Sequence, residues 1–131
     1  MATKKENLAR IASLVRERIS AWEATANKYA LRMNEDYVDF FTWCADDMFK
    51  AQKFLWNYRK LKSVIGRGNL ADVLDYLKIR IEFFEKELLS GKLRKSSTCQ
   101  LGNFAFVLEL EVWQVLRKEY LQLIGIVESL K

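Results

Sequence analysis

Apolar residues recur at alternating steps of four and three positions along most of this chain. The first series consists of Leu8, Ala12, Val15, Ile19, Trp22, Ala26, Tyr29 and Met33. This spacing places the side chains on one stripe of an α-helix, and its seven-residue repeat is typical of helices that pack along a shared seam. Proline, which breaks helices, is absent, and glycine occurs only five times. The pattern predicts an all-α protein.

Four helices are predicted within a single domain. The domain spans 1–131, and its helices cover about 4–33, 35–65, 70–90 and 99–130. Asn34-Glu35-Asp36 favours a helix start, because Asn caps free N–H groups and acids suit the positive end of a helix. Gly66-Arg67-Gly68-Asn69 is the strongest boundary. Short connections predict an up-down-up-down four-helix bundle. Because no Gly or Pro stands at Asn34, a continuous first and second helix, forming a long hairpin, is the alternative.

The last segment fits two patterns. Its start alternates apolar and other residues with the period of a strand, at Phe104, Phe106, Leu108, Leu110 and Val112. A helical stripe also fits, through Phe106, Leu110, Trp113, Tyr120, Ile124 and Val127. No partner strand is evident elsewhere, and a lone strand is not stable. We therefore expect a helix.

The chain lacks the residue types that most catalytic and metal sites use. It has no histidine, which excludes Ser-His and Cys-His nucleophile pairs, common zinc sites and the Glu-x-x-His pairs of di-iron bundles. Gly66-Arg67-Gly68 lacks the preceding strand and the Lys-Ser/Thr of a phosphate-binding loop. The only carboxylate candidates for a metal are Asp46, Asp47, Glu109 and Glu111, and solvated surface acids explain them better. We expect no catalytic residue, no cofactor and no metal.

The cysteines and the hydropathy of the chain indicate the cellular compartment in which the protein is expected. Cys44 and Cys99 are far apart in the sequence and lack metal-ligand spacing, which favours a reduced cytoplasmic protein. No apolar run reaches the roughly 18 residues that span a bilayer. The start is polar, so we expect neither a signal peptide nor a membrane segment.

Positive charge gathers near the end of the second predicted helix. The net charge is +5, and in an alternating bundle the cluster shares one end with the chain start. The candidate nucleic-acid-binding residues are Arg59, Lys60, Lys62, Arg67, Lys4 and Lys5. Trp56 and Tyr58 beside the cations suit stacking on bases, although Tyr58 lies on the core stripe. The alternative is that these cations only complement a helix dipole.

Apolar residues exceed what one helical stripe needs, which predicts a homo-oligomer. The candidate interface residues are Phe40, Phe49, Phe54, Trp56, Phe104 and Leu108. The alternative is that one helix is central in the bundle.

These features favour a non-catalytic accessory or scaffold protein. We expect it to self-associate and to dock a protein or nucleoprotein partner, with its basic end contacting nucleic acid. A pure protein–protein adaptor is one alternative, and a small histidine-independent enzyme acting on an anionic metabolite is another. Leu110-Glu111-Val112-Trp113-Gln114 is similar to a string in the four-helix-bundle family linked to ribosomal RNA intervening sequences. In that family the string opens the first helix, whereas here it lies in the last, so we assign no family.

Overall fold

The computed structural model describes the backbone of residues 3–93 and 100–129, and the side chains of residues 3–89 and 107–128. Every regular element in these residues is a helix. The helices are α1 (Lys4–Glu35), α2 (Tyr37–Trp43), α3 (Ala45–Ile65), α4 (Leu70–Leu93) and α5 (Gln100–Ser129). The predicted all-α class is confirmed. In the described part of the chain, no helix is long and apolar enough to cross a membrane.

The predicted second helix is divided in two. Asp36 is extended (φ −156°), which separates α1 from α2, and its side chain caps α2 by accepting from the Asp39 N–H at 3.1 Å. A second break follows at Cys44, which leaves helical geometry (φ −124°, ψ −13°). Phe40 on α2 and Cys44 at the break are both buried. The segment 35–65 is therefore a short helix followed by a long one.

The boundary between α3 and α4 follows the sequence signals. Gly68 has φ +79°, a left-handed conformation that glycine adopts without steric cost. Asn69 caps α4, because its Oδ1 accepts from the Ala71 N–H at 2.9 Å. The turn brings the basic end of α3 next to the start of α4.

The helical interpretation of the last segment is confirmed, since α5 is helical from Gln100 onward. Leu108 and Val112, two members of the alternating series, are buried, while Val107 is exposed. Residues 108 and 112 are one helical turn apart and share a face. The strand-like alternation therefore reflects a helix with apolar residues on several sides.

One core cluster joins α1, α3, α4 and α5. Tyr120 is at its centre, with ring centroids 6.2 Å from Tyr58 and 5.6 Å from Phe84. Trp22 of α1 stacks on Phe54 of α3 at 4.3 Å, with an interplanar angle of 7°. These large rings hold the four long helices together, because buried aromatic side chains remove much apolar area from water.

Contacts between helices fix their registers. The contacts between α4 and α5 run in opposite order along the two helices. Lys78 of α4 pairs with Glu128, late in α5, at 3.7 Å, whereas the later residue Glu85 pairs with the earlier residue Arg117 at 2.9 Å. Residues of α1 and α3 follow the same inverse order. The Tyr29 hydroxyl donates to Asp47 at 3.3 Å, whereas Trp22 meets Phe54.

Candidate functional site

The outer face of α3 carries an exposed tryptophan among cations. Trp56 is 52% exposed, and the ammonium Nζ of Lys60 lies 3.7 Å from the centroid of its ring. A groove of about 530 Å³ runs along this face. We call it the α3 groove. It is lined by Gln52, Lys53, Trp56, Arg59, Lys60 and Ser63.

Helical spacing assembles this groove from a short stretch of sequence. Residues 52, 56, 59 and 63 are separated by steps of four and three, so they form one outward row, with residue 60 beside it. The opposite side of α3, including Leu55 and Tyr58, is buried. The local sequence therefore presents Trp56 and its cations to solvent once the core side is covered.

The charge of the α3 groove is unbalanced. Between Asp47 and Asp72 the sequence contains six cations and no acid. Two of them, Lys50 and Lys53, are paired with carboxylates of α5, Glu111 at 3.2 Å and Glu109 at 2.7 Å. The remaining four have no carboxylate partner among the described side chains. They are Arg59, Lys60, Lys62 and Arg67.

The predicted basic residues divide between two surfaces. Lys4 and Lys5 line a second groove of about 740 Å³, the end groove, together with Gly68 and the apolar residues Leu8, Leu70, Leu74 and Val127. The chain start therefore lies beside the α3–α4 turn. Arg59 and Lys60 instead line the α3 groove. Four more basic residues, Lys92, Arg94, Lys95 and Lys131, lie outside the described side chains.

The candidate interface residues differ in how exposed their side chains are. Phe40, Phe54 and Leu108 are buried inside this chain, because neighbouring helices cover them, so they are not available to a partner. Phe49 is half-buried, with the ammonium of Lys53 5.4 Å from its ring centroid. Trp56 is exposed, and the side chain of Phe104 lies outside the described residues.

Further exposed apolar side chains lie on α2 and near the end of α1. These side chains, which we call the α2 patch, are Leu31, Tyr37, Val38, Phe41 and Trp43. Trp43 is 72% exposed. Tyr37 and Phe41, one helical turn apart on α2, face solvent because α2 contacts only α1 and α3 among the described helices.

Three of the four acids considered for a metal, Asp47, Glu109 and Glu111, form ion pairs with lysines. Lys50 lies between Glu111 and Asp47, at 3.2 and 3.7 Å. Burial lowers the pKa of Lys50, but the hydrogen bond to Glu111 and the negative charges of Glu111, Asp47 and Asp46 together raise it overall. Lys50 therefore stays charged and does not serve as a nucleophile at neutral pH. In the described residues, no group of three or more His, Cys, Asp or Glu side chains is arranged to hold a metal ion.

Comparison with known proteins finds no matching family model, no similar curated protein and no similar solved structure. The function proposed below therefore depends on the geometry of this chain.

Proposed function

We propose that this protein is a non-catalytic helical accessory protein that binds single-stranded nucleic acid through the α3 groove. The observation that carries the proposal is Trp56, half-exposed beside Arg59 and Lys60, which have no carboxylate partner in the described residues. We further propose that the four long helices form an up-down-up-down bundle. The inverse order of the α1–α3 and α4–α5 contacts supports this topology.

A single strand suits this surface better than a duplex. Unpaired bases offer a free ring face, and stacking on an aromatic side chain contributes about 1–3 kcal/mol per base. In the free protein the Lys60 ammonium lies over the Trp56 ring. A base that stacks on this ring face displaces the ammonium, which then reaches a backbone phosphate. Arg59, which lies in the outward row with Trp56, contacts the next phosphate.

The salt dependence of binding tests the role of the cations. Each phosphate contact on a single strand contributes about 0.7 to the slope of log affinity against log salt. Replacing Arg59 and Lys60 together by Ala should weaken binding to a labelled single-stranded oligonucleotide and reduce that slope by about 1.4. Arg16→Ala with Lys28→Ala is the control, since both residues are exposed cations on α1. Equal losses from both double variants would indicate a general charge effect and contradict the proposed site.

The stacking role has its own matched pair of variants. Trp56→Leu should lower single-strand affinity roughly five- to 150-fold, as expected for one lost stacking contact. Trp43→Leu removes an even more exposed tryptophan, on the α2 patch, and should leave affinity unchanged. Fluorescence anisotropy with single-stranded and duplex forms of one sequence measures both variants. A wild-type protein that prefers the duplex would contradict the choice of ligand.

Self-association through the α2 patch is a second proposed function, and the exposure of its five apolar residues, four of them on α2, favours it. An exposed apolar surface is also what a pure protein–protein adaptor would use to bind its partner. Trp43→Glu should shift the mass measured by analytical ultracentrifugation towards the monomer, because it places a charge in the contact. Trp56→Glu is the control for charge on another exposed tryptophan. A wild-type protein that is monomeric at every concentration would refute self-association.

We propose a reduced, cytoplasmic setting for both activities. Cys44 is a free, buried thiol, which supports this setting. Labelling of the unfolded protein with a thiol reagent directly after extraction from its source checks the redox state.

A further inference from the structure

The end groove opens between the starts of α1 and α4 and the end of α5. Its volume is about 740 Å³, within the range of roughly 300–1,000 Å³ that is typical of small-molecule sites. It shares no lining residue with the α3 groove. A ligand of the end groove is therefore a separate matter from the binding of nucleic acid.

The innermost part of the end groove is apolar. Val127 is only 1% exposed, and Leu8, Leu70 and Leu74 are half-buried against the core. These side chains are recessed rather than protruding, so they form a trough that leaves room for an apolar chain. No aromatic ring is among the lining residues, so the end groove lacks the stacking surface that favours bases in the α3 groove.

The charged lining residues, Lys4 and Lys5, are both cations. They are exposed and form no ion pair with a carboxylate of the described side chains. Positions 4, 5 and 8 of α1 line the groove, and they span an arc of about 100° around the helix axis. Glu6 lies about 150° from the middle of that arc, and Asp72 holds the same relation to positions 70, 71 and 74 of α4. The nearest acids in the sequence therefore face away, and the positive charge at the groove is not neutralised.

We propose that the end groove binds the anion of a single-chain fatty acid. Its carboxylate lies beside Lys4 and Lys5, because opposite charges attract. Its hydrocarbon chain lies along Leu8, Leu70 and Leu74, where each methylene removed from water strengthens binding by up to about fourfold. A membrane surface fits less well, since recessed leucines do not reach into a bilayer and a lipid chain would have to leave it.

Isothermal titration calorimetry of the full chain with dodecanoate, below its micellar concentration, tests the site. One molecule should bind per chain. Decanoate, two methylenes shorter, should bind up to about 16-fold more weakly, and dodecyltrimethylammonium, which has a positive head group, should show no saturable binding. Absence of saturable dodecanoate binding, several molecules per chain, or equal affinity for the cationic analogue would overturn the proposal. Sedimentation with phosphatidylglycerol vesicles, in a protein that does not bind dodecanoate, would assign the groove to a membrane surface instead.

The lysines have a matched control. Lys4→Gln with Lys5→Gln should lower dodecanoate affinity about tenfold, as for two exposed charge pairs. Arg16→Gln with Lys28→Gln removes two exposed cations elsewhere on α1 and changes the net charge equally, so it should leave the affinity unchanged. Equal losses from both double variants would indicate a general charge effect and contradict the site.

A third pair of variants tests the trough itself. Ala71 lines the end groove and is exposed, so Ala71→Trp fills the groove without disturbing the core and should abolish saturable dodecanoate binding. Ala24→Trp adds the same ring at an exposed position elsewhere on α1 and should leave the affinity unchanged, with circular dichroism checking that both variants stay helical. Unchanged affinity in Ala71→Trp, or a loss in Trp56→Leu, would place the fatty acid at another surface and overturn the proposal.

Discussion

Tyr120 offers the sharpest test of the core. Its side chain is fully buried (0% exposed), and its ring lies edge-on to Tyr58 and tilted against Phe84. Its hydroxyl donates to the backbone carbonyl of Asn57 at 3.4 Å, near the outer limit of hydrogen-bond length. Two substitutions separate these contributions, because Tyr120→Phe removes only the hydroxyl and Tyr120→Ala also removes the ring.

The expected magnitudes differ widely. Loss of a fully buried aromatic ring costs about 3–5 kcal/mol, including the cavity that it leaves. The long hydrogen bond is at the weak end of the range, so Tyr120→Phe should cost only about 0.5 kcal/mol. A domain of this kind has a total stability of roughly 5–15 kcal/mol, so Tyr120→Ala should remove a large part of it.

Urea unfolding followed by far-ultraviolet circular dichroism measures both changes in the free energy of unfolding. Tyr37→Ala is the control, since Tyr37 is 61% exposed and should change stability by less than about 0.5 kcal/mol. Equal costs for Tyr120→Ala and Tyr37→Ala would refute the placement of Tyr120 in the core. A cost above about 2 kcal/mol for Tyr120→Phe would instead show that the hydroxyl makes a stronger bond than the geometry indicates.

Three further predictions concern single residues. Burial, partly offset by the charge of Arg18, raises the pKa of Glu119 above its ordinary value of 4.5. The folded state therefore favours the protonated carboxyl group, whose contribution to stability is complete below pH 4.5 and is lost as the pH rises through the raised pKa. Urea midpoints should therefore fall more from acidic to neutral pH in the wild type than in Glu119→Gln, and parallel profiles would contradict this. Asn69→Ala should cost about 1 kcal/mol, because it removes the cap of α4; no loss of thermal stability would argue against the cap. Asn57→Leu should cost about 1–3 kcal/mol, since Asn57 Oδ1 accepts from Arg80 at 3.1 Å; a neutral effect in urea unfolding would mean that water replaces this bond.

The sequence was most informative where structure is local. The stripe through Val15 and Ile19 is buried, and the Gly66–Asn69 boundary is a turn, because each depends on residues a few positions apart. Trp56 was placed off the core stripe and is exposed. The predicted stacking and phosphate-binding roles of Trp56, Arg59 and Lys60 stay a prediction, but their position on one outward face is a direct result of helical spacing.

The second predicted helix shows where periodicity stops being sufficient. It carries apolar residues on more than one side, and each is buried only if another helix covers it. Phe40 and Phe54 are covered, whereas Tyr37 and Phe41 are not. The break at Cys44 likewise has no glycine or proline signal in the sequence.

By itself the amino-acid sequence determined the helical class, the α3–α4 turn and the outward row that contains Trp56, since hydrogen bonds and steric preferences within a few residues fix all three. The tertiary structure decided which cations are neutralised and which apolar residues face water. Lys53 and Arg59 lie six positions apart on the same helix, but only Lys53 is paired. Glu109 of α5 lies opposite Lys53, whereas no described carboxylate lies opposite Arg59. Such pairings depend on residues distant in the chain, and only the packing of the helices brings them together.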